Sequence, residues 1–99
     1  MNQQALRPNL RSKVFTDDFR EKLATGINCI RLLHDAGVKV VRTDYSGRRP
    51  MLLIDPQTAE PVVSMLVSSW SRNLGGGIRH IGKVIGGCDV VWTELVVTV

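Results

Sequence analysis

Hydrophobic residues recur at helical spacing between residues 17 and 36. They form a single stripe made of Phe19, Leu23, Ile27, Ile30 and Leu33. Thr16 is a favourable N-cap, two aspartates follow it in the first turn, and Gly37 is placed to end the helix. The pattern therefore predicts a helix over residues 17–36. Gly26 lies near the stripe, and we expect it to let the helix approach its neighbour closely.

Two apolar runs within residues 38–55 flank a short polar turn, which indicates a β-hairpin. If Ser46 and Gly47 form a two-residue loop, Asp44 faces Arg49 as a cross-strand charge pair. The other pairs of that register are Tyr45–Arg48, Val41–Leu52 and Val40–Leu53. The hairpin would carry apolar side chains on both faces, so one face needs the helix and the other needs a partner.

The pattern after Asp55 is less regular. Residues 59–67 fit both a short helix and an alternating strand, and we interpret them as a short helix to about Leu66. A strand then runs through Trp70 to Arg72. A second hairpin is predicted from two strands, Ile78 to Ile85 and Cys88 to Thr98, with a turn at Gly86 and Gly87.

These elements predict an α+β fold. One long N-terminal helix packs on an antiparallel sheet built from two β-hairpins, and a second short helix is allowed. Residues 1–13 carry three cations and no acid, and we expect them to form a mobile basic arm. Residues 14–99 form a single domain.

Composition places the chain among soluble globular proteins, with 43% hydrophobic and 22% charged residues. The N-terminal region lacks the apolar core of a signal peptide, and no apolar run is long enough for a membrane span. We therefore expect a cytoplasmic protein without a membrane partner. Cys29 and Cys88 fit buried free thiols, although a disulfide between them is also possible.

No catalytic, cofactor or metal site is predicted. The segment Gly77 to Lys83 matches part of a phosphate-binding loop, but Val84 stands where that loop needs Ser or Thr. His80 has no nearby carboxylate to orient it as a general base, and His34 fits a partly buried structural histidine near the helix end. Cys29 and His34 are five residues apart and would not share a helical face, which disfavours a zinc site. These features favour a non-enzymatic protein.

Basic residues give the strongest sequence indication of a binding surface. The net charge is +4, and five cations are candidate contacts for nucleic acid or an acidic partner: Arg48, Arg49, Arg72, Arg79 and Lys83. Tyr45, Trp70 and Trp92 are candidate stacking platforms for single-stranded nucleic acid. The alternative is that these cations solvate strands and discourage edge pairing.

The C-terminal strand offers a candidate apolar interface, formed by Leu95, Val97 and Val99. This surface favours protein–protein interaction, either with an unidentified partner or as a homo-oligomer. We take protein interaction as the first functional hypothesis and nucleic-acid binding as the alternative.

A resemblance supplies context. The helix, the stretch from Ala36 to Val40, the Gly47-Arg48-Arg49-Pro50 turn and the stretch from Gly86 to Glu94 are similar to small proteins encoded by bacteriophages and prophages. The similarity covers residues 20–95. It implies an accessory protein in a bacterial cytoplasm, acting on a host factor, and implies no site residues.

Overall fold

The computed structural model describes residues 16–96. The elements, in chain order, are helix α1 (Asp17–Asp35), strands β1 (Val40–Asp44) and β2 (Met51–Ile54), a 3₁₀ turn (Pro56–Thr58), helix α2 (Glu60–Val63), and strands β3 (Ser69–Gly75), β4 (Ile78–Ile85) and β5 (Cys88–Leu95). The α+β class predicted from the sequence is confirmed. The predicted basic arm and the interface residues Val97 and Val99 lie outside the described residues.

The strands form one sheet in the order β1-β2-β5-β4-β3. Three neighbouring pairs are antiparallel, but β2 and β5 run parallel, with Leu52 opposite Val90. The sheet is therefore mixed, whereas the sequence predicted a wholly antiparallel one. Parallel pairing requires a long connection, and here residues 55–87 provide it by adding β3 and β4 on the far side of β5.

The predicted termini of α1 are confirmed, but its buried face is rotated from the predicted one. The hydroxyl of Thr16 accepts a hydrogen bond from the backbone N–H of Phe19 at 3.2 Å, and Gly37 has a φ of +84°. The buried residues of the helix are Gly26, Cys29 and Leu33. Ile27 is 47% exposed, so its place in the buried stripe was wrong. The smaller Gly26 and Cys29 take the core face because the sheet lies close to the helix there.

The close approach expected at Gly26 is confirmed. A Cβ atom built on Gly26 would lie 2.6 Å from the Tyr45 ring, well inside van der Waals contact. Lys22, one turn earlier, donates hydrogen bonds from Nζ to the carbonyl oxygens of Tyr45 and Gly47, at 3.0 Å and 2.6 Å. The helix therefore holds the β1–β2 connection by both packing and hydrogen bonds.

Gly26→Ala is expected to destabilise the protein by about 1–3 kcal/mol, because the added methyl overlaps the Tyr45 ring. In a Tyr45→Ala background the same substitution should stabilise by about 1 kcal/mol, since alanine is the better helix former. Urea denaturation of both pairs measures the two changes. A stabilising Gly26→Ala in the otherwise unchanged protein would contradict the observed packing.

The hairpin register predicted from a two-residue Ser46-Gly47 loop was wrong. Asp44 lies opposite Met51 instead of Arg49, and six residues connect the strands. The remaining observed pairs are Thr43–Leu52, Arg42–Leu53 and Val40–Ile54, with an irregularity between Val40 and Arg42. The loop is wider because Lys22 bonds its carbonyls and Arg49 pairs with Asp89 instead, at 3.3 Å.

One face of the sheet carries the hydrophobic core. Side chains from α1, the short helical segment and strands β2, β4 and β5 meet there; the buried members are Cys29, Leu33, Val38, Leu52, Ile54, Ala59, Val62, Ile85, Cys88, Val90 and Trp92. The short helix predicted within residues 59–67 is confirmed at Glu60–Val63, and the following strand begins at Ser69. Lys83 fixes this segment by donating to the carbonyl oxygens of Val63 and Met65.

Candidate functional site

The other face of the sheet, called the open face here, has no described helix packed on it. Side chains alternate between faces along each strand, and the observed registers place fourteen residues on the open face: Arg42, Asp44, Met51, Leu53, Trp70, Arg72, Ile78, His80, Gly82, Val84, Asp89, Val91, Thr93 and Leu95. Most of the central members are apolar, and polar groups lie toward the edges.

Trp70 anchors the β3 side of the open face. It lies directly opposite Gly82, and a Cβ atom on Gly82 would overlap the indole ring. The ring therefore covers the glycine, and it meets the His80 ring in a T-shaped contact with a centroid distance of 5.2 Å and an interplanar angle of 89°. Val91, on the other side of Gly82, has no exposed surface. These contacts form an ordered aromatic and aliphatic platform.

A groove continues this platform at the end of β2 and β5. It has a volume of about 460 Å³ and is lined by Pro56, Gln57, Ile78, Thr93, Glu94 and Leu95. Leu95, predicted as an apolar interface residue, lies opposite Ile78 and is 76% exposed. Two aliphatic side chains are thus presented side by side at one end of the open face.

A more polar cleft of about 680 Å³ lies at the opposite end, beside the β1–β2 connection. Arg49 and Asp89 form an ion pair across it, with both guanidinium contacts to the carboxylate at 3.3 Å. The hydroxyl and backbone N–H of Ser46 donate to Asp44 and lower the pKa of that carboxyl. The cleft therefore carries charges of both signs.

The five predicted basic contacts do not form one surface. Lys83 and Arg79 lie on the helix-bearing face, where Lys83 bonds two backbone carbonyls and Arg79 pairs with Glu94 at 3.9 Å. Arg49 pairs with Asp89, and Arg48 is exposed in the β1–β2 connection. Arg72 is the one of the five whose position in its strand places it on the open face.

The three candidate stacking aromatics also separate. Tyr45 packs against Gly26, and Trp92 is 4% exposed within the core. Trp70 alone among them lies on the open face, partly exposed. A nucleic acid would therefore meet Trp70 and its neighbour Arg72, with His80 beside them, instead of the broad basic surface that the sequence suggested.

The two cysteines lie together in the core, while the histidines are far from them. The Cys29 thiol donates a hydrogen bond to the carbonyl of Ile85 at 3.4 Å, and the Cys88 thiol donates to the carbonyl of Thr25 at 3.6 Å. Both are free thiols. His34 lies on the helix surface and His80 on the open face. Within residues 16–96 no three His, Cys, Asp or Glu side chains are grouped to hold a metal ion.

Alkaline pH is expected to destabilise the fold through these thiols. Burial raises the pKa of Cys88 from its ordinary 9.0 to about 12, with further contributions from Cys29 and Asp89, and burial also raises the pKa of Cys29. The unfolded chain releases these protons first, so the stability they contribute is intact below pH 9 and is lost as pH rises toward 12. The slope should be at most about 1.4 kcal/mol per pH unit for each thiol.

Denaturation midpoints of the unchanged protein and Cys88→Ala, measured between pH 8 and pH 11, test this expectation. The variant should lose stability less steeply above pH 9, whatever its starting stability. Equal slopes would show that Cys88 does not keep its proton in the folded state.

The sequence predicted the apolar second face of the first hairpin and the apolar C-terminal strand as surfaces for a partner, but not the packing of Trp70 beside them. One sequence feature indicated that packing: Gly82 lies inside a predicted strand, and a glycine there indicates a close approach by another group. The approaching group, Trp70, could not be named without the register between β3 and β4.

Comparison of the chain with protein-family models, with curated proteins and with solved structures found no match. None of the helices described between residues 16 and 96 combines the length and the apolar character needed to cross a bilayer. We therefore infer function from the geometry of the open face.

Proposed function

We propose that the protein is a non-enzymatic interaction module that binds a protein partner on its open face. The observation that carries the proposal is the platform of Trp70, Gly82 and Val91, continued by Ile78 and Leu95. Ile78 and Leu95 expose apolar surface beside this packed platform, and apolar surface bordered by polar residues is typical of protein-binding sites. The half-buried Trp70 adds the type of side chain that dominates interface energies.

The charged residues of the open face indicate the chemistry of the partner. Arg42 and Arg72 lie on the two edge strands at either side of the apolar centre, and both are exposed. Neither forms an ion pair with an acid among residues 16–96. The acids of the open face are already engaged, Asp89 by Arg49, and Asp44 by Ser46 and by the charge of the nearby Arg42, so Arg72 is the freer of the two cations. The partner should therefore present an apolar segment flanked by acidic side chains.

The test compares two leucine substitutions on opposite sides of the molecule. Leu53→Lys changes the half-buried centre of the open face, while Leu32→Lys changes a helix residue that is 48% exposed and remote from it. A photoreactive residue at Leu95 should cross-link the partner in bacterial extract. The purified partner should then bind Leu53→Lys at least about tenfold more weakly and Leu32→Lys unchanged.

Equal binding by both variants would overturn the proposal, as would a partner that cross-links equally from Leu32. Cross-links destroyed by nuclease would favour the alternative of nucleic-acid binding. In that case affinity should fall steeply with added salt, and Arg72→Ala should reduce the salt dependence. Action on a host factor of a phage-infected bacterium, implied by the sequence resemblance, stays a prediction.

A further inference from the structure

The outer edge of β3 has few of the usual protections of a sheet edge. β3 ends the strand order, pairs with β4 alone among the described strands, and exposes every residue except Trp70, which is half-buried. It has seven residues, no proline and a single charged residue, Arg72, and its register irregularity lies at its C-terminal end, between Asn73 and Gly75. Protected edges are usually short, charged or bulged. The opposite edge, β1, has these features: five residues, two of them charged, and an irregularity at Val41.

The free hydrogen-bonding groups of β3 belong to alternate residues. The backbone N–H of Val84 donates to the carbonyl of Ser68, the residue directly opposite it. Because antiparallel pairs alternate in their bonding, Trp70 and Arg72 also direct their backbone groups toward β4. The N–H and C=O groups of Ser69, Ser71 and Asn73 therefore point away from the sheet, where no described strand meets them.

We propose that this edge pairs with β3 of a second copy of the chain, antiparallel, about a two-fold axis at Ser71. Ser71 then exchanges hydrogen bonds with its own counterpart, and Ser69 does so with the partner's Asn73. Trp70 lies directly opposite the partner's Arg72 on the open face. This placement would give two symmetric cation–π contacts, because the indole that covers Gly82 is only half-buried and keeps exposed surface for a guanidinium group.

Charge selects this register over the nearest alternative. A two-fold axis at Arg72 would place two guanidinium groups directly opposite each other, and like charges in that position are destabilising. The Ser71 register instead matches each cation with an aromatic ring. On the helix-bearing face it matches small polar side chains, Ser69 with Asn73 and Ser71 with itself, which leave room for the two sheets to join.

Exposed apolar residues at the two ends of β3 support the same arrangement. Leu66 is 103%, Val67 40% and Leu74 53% exposed. In the proposed register the Leu74 end of β3 lies beside the segment that precedes β3 in the partner, which carries Leu66 and Val67. Each copy thus covers the apolar end of the other, and the two open faces join into one continuous surface. The interface is small, so we expect a dissociation constant in the micromolar range.

The first test compares the unchanged protein with Ser71→Pro. Sedimentation velocity of the full chain, from micromolar to millimolar concentration, measures dimer formation. The N–H lost at this position points outward, so the monomer keeps its ladder to β4 and should retain its circular dichroism spectrum. The unchanged protein should dimerise with concentration and the variant should stay monomeric. A monomeric unchanged protein, or a variant that dimerises equally, would overturn the proposal.

Two further variants test the register without proline. Ser71→Cys with oxidised glutathione should give a disulfide-linked dimer by thiol exchange, releasing two reduced glutathione molecules, because Cα atoms of such a pair lie about 5.5 Å apart. The unchanged protein should form no disulfide-linked dimer under these conditions, and neither should Val41→Cys, whose substitution lies on the other edge of the sheet. Arg72→Glu should weaken dimerisation about tenfold. A cross-link from Val41→Cys, or none from Ser71→Cys, would contradict the β3 pairing.

The dimer concerns the edge of the sheet and does not rest on the open-face proposal. Leu53→Lys should leave dimerisation unchanged, while Ser71→Pro should leave partner binding by a single open face in place. The two proposals therefore fail separately.

Discussion

Gly82→Ala is expected to displace Trp70 and destabilise the protein by about 1–3 kcal/mol. The added methyl would overlap the indole ring, which rests on the glycine backbone. If the ring moves away, the side-chain packing between β3 and β4 on the open face is weakened. The fluorescence of Trp70 should then shift toward the red, while the buried Trp92 contributes a constant background.

A second background separates this overlap from other effects of the substitution. In Trp70→Ala, the same Gly82→Ala change should be neutral or stabilising, because alanine suits a strand better than glycine once the ring is absent. Gly47→Ala is the matched control, since its nearest neighbour is a carbonyl oxygen at 3.7 Å. Additive effects of the Trp70 and Gly82 substitutions in urea denaturation would contradict the stacked arrangement.

Leu33→Ala is expected to have the largest effect of any single substitution considered, about 2–5 kcal/mol of lost stability. Leu33 has no exposed surface and contacts the core cluster from the last turns of α1. Domains of this size have a free energy of unfolding of about 5–15 kcal/mol. The variant should therefore unfold at a much lower urea concentration or fail to fold at all.

The adjacent leucine provides the control. Leu32 is 48% exposed, and its replacement by alanine should change stability by no more than about 0.5 kcal/mol. The comparison tests which face of α1 meets the sheet, because the two residues differ in orientation and not in chemistry. Similar losses from both substitutions would show that the helix packs at a different rotation.

The sequence predicted the elements that depend on local chemistry. The cap at Thr16, the stop at Gly37 and the tight turn at Gly86 and Gly87 each depend on neighbouring residues, and each is observed. The α+β class followed from one helical stripe and several alternating runs.

Features fixed by distant residues were not predicted. The register of the first hairpin depends on Lys22, which bonds the loop from α1, and on Asp89, which lies 40 residues from Arg49. Ile27 is exposed because the smaller residues Gly26 and Cys29 face the sheet. A hydrophobicity pattern predicts the opposite, since it assigns the more hydrophobic Ile27 to the buried face. The parallel pairing of β2 and β5 is likewise not indicated by the local sequence of either strand.

The candidate site was predicted in part. Leu95 was identified as apolar and lies on the open face with considerable exposure. The five basic contacts were predicted from the charges in the sequence alone. The sequence does not show that Lys83 already donates hydrogen bonds to the carbonyls of Val63 and Met65. Trp70 was one of three aromatic residues predicted as stacking platforms, and its packing on Gly82 depends on a strand register that the sequence does not show.

The parallel contact between β2 and β5 also constrains the order in which the chain acquires its structure. Leu52 meets Val90 in the middle of the sheet, so α1 and the first hairpin cannot dock on β3 and β4 until β5 has entered between them. Contacts of such long sequence separation slow folding, because loop closure must precede any gain in stability. During synthesis on the ribosome, Leu33, Leu52 and their neighbours stay without their final partners until β5 has left the exit tunnel. Chaperone protection of the nascent chain would have most effect in that interval.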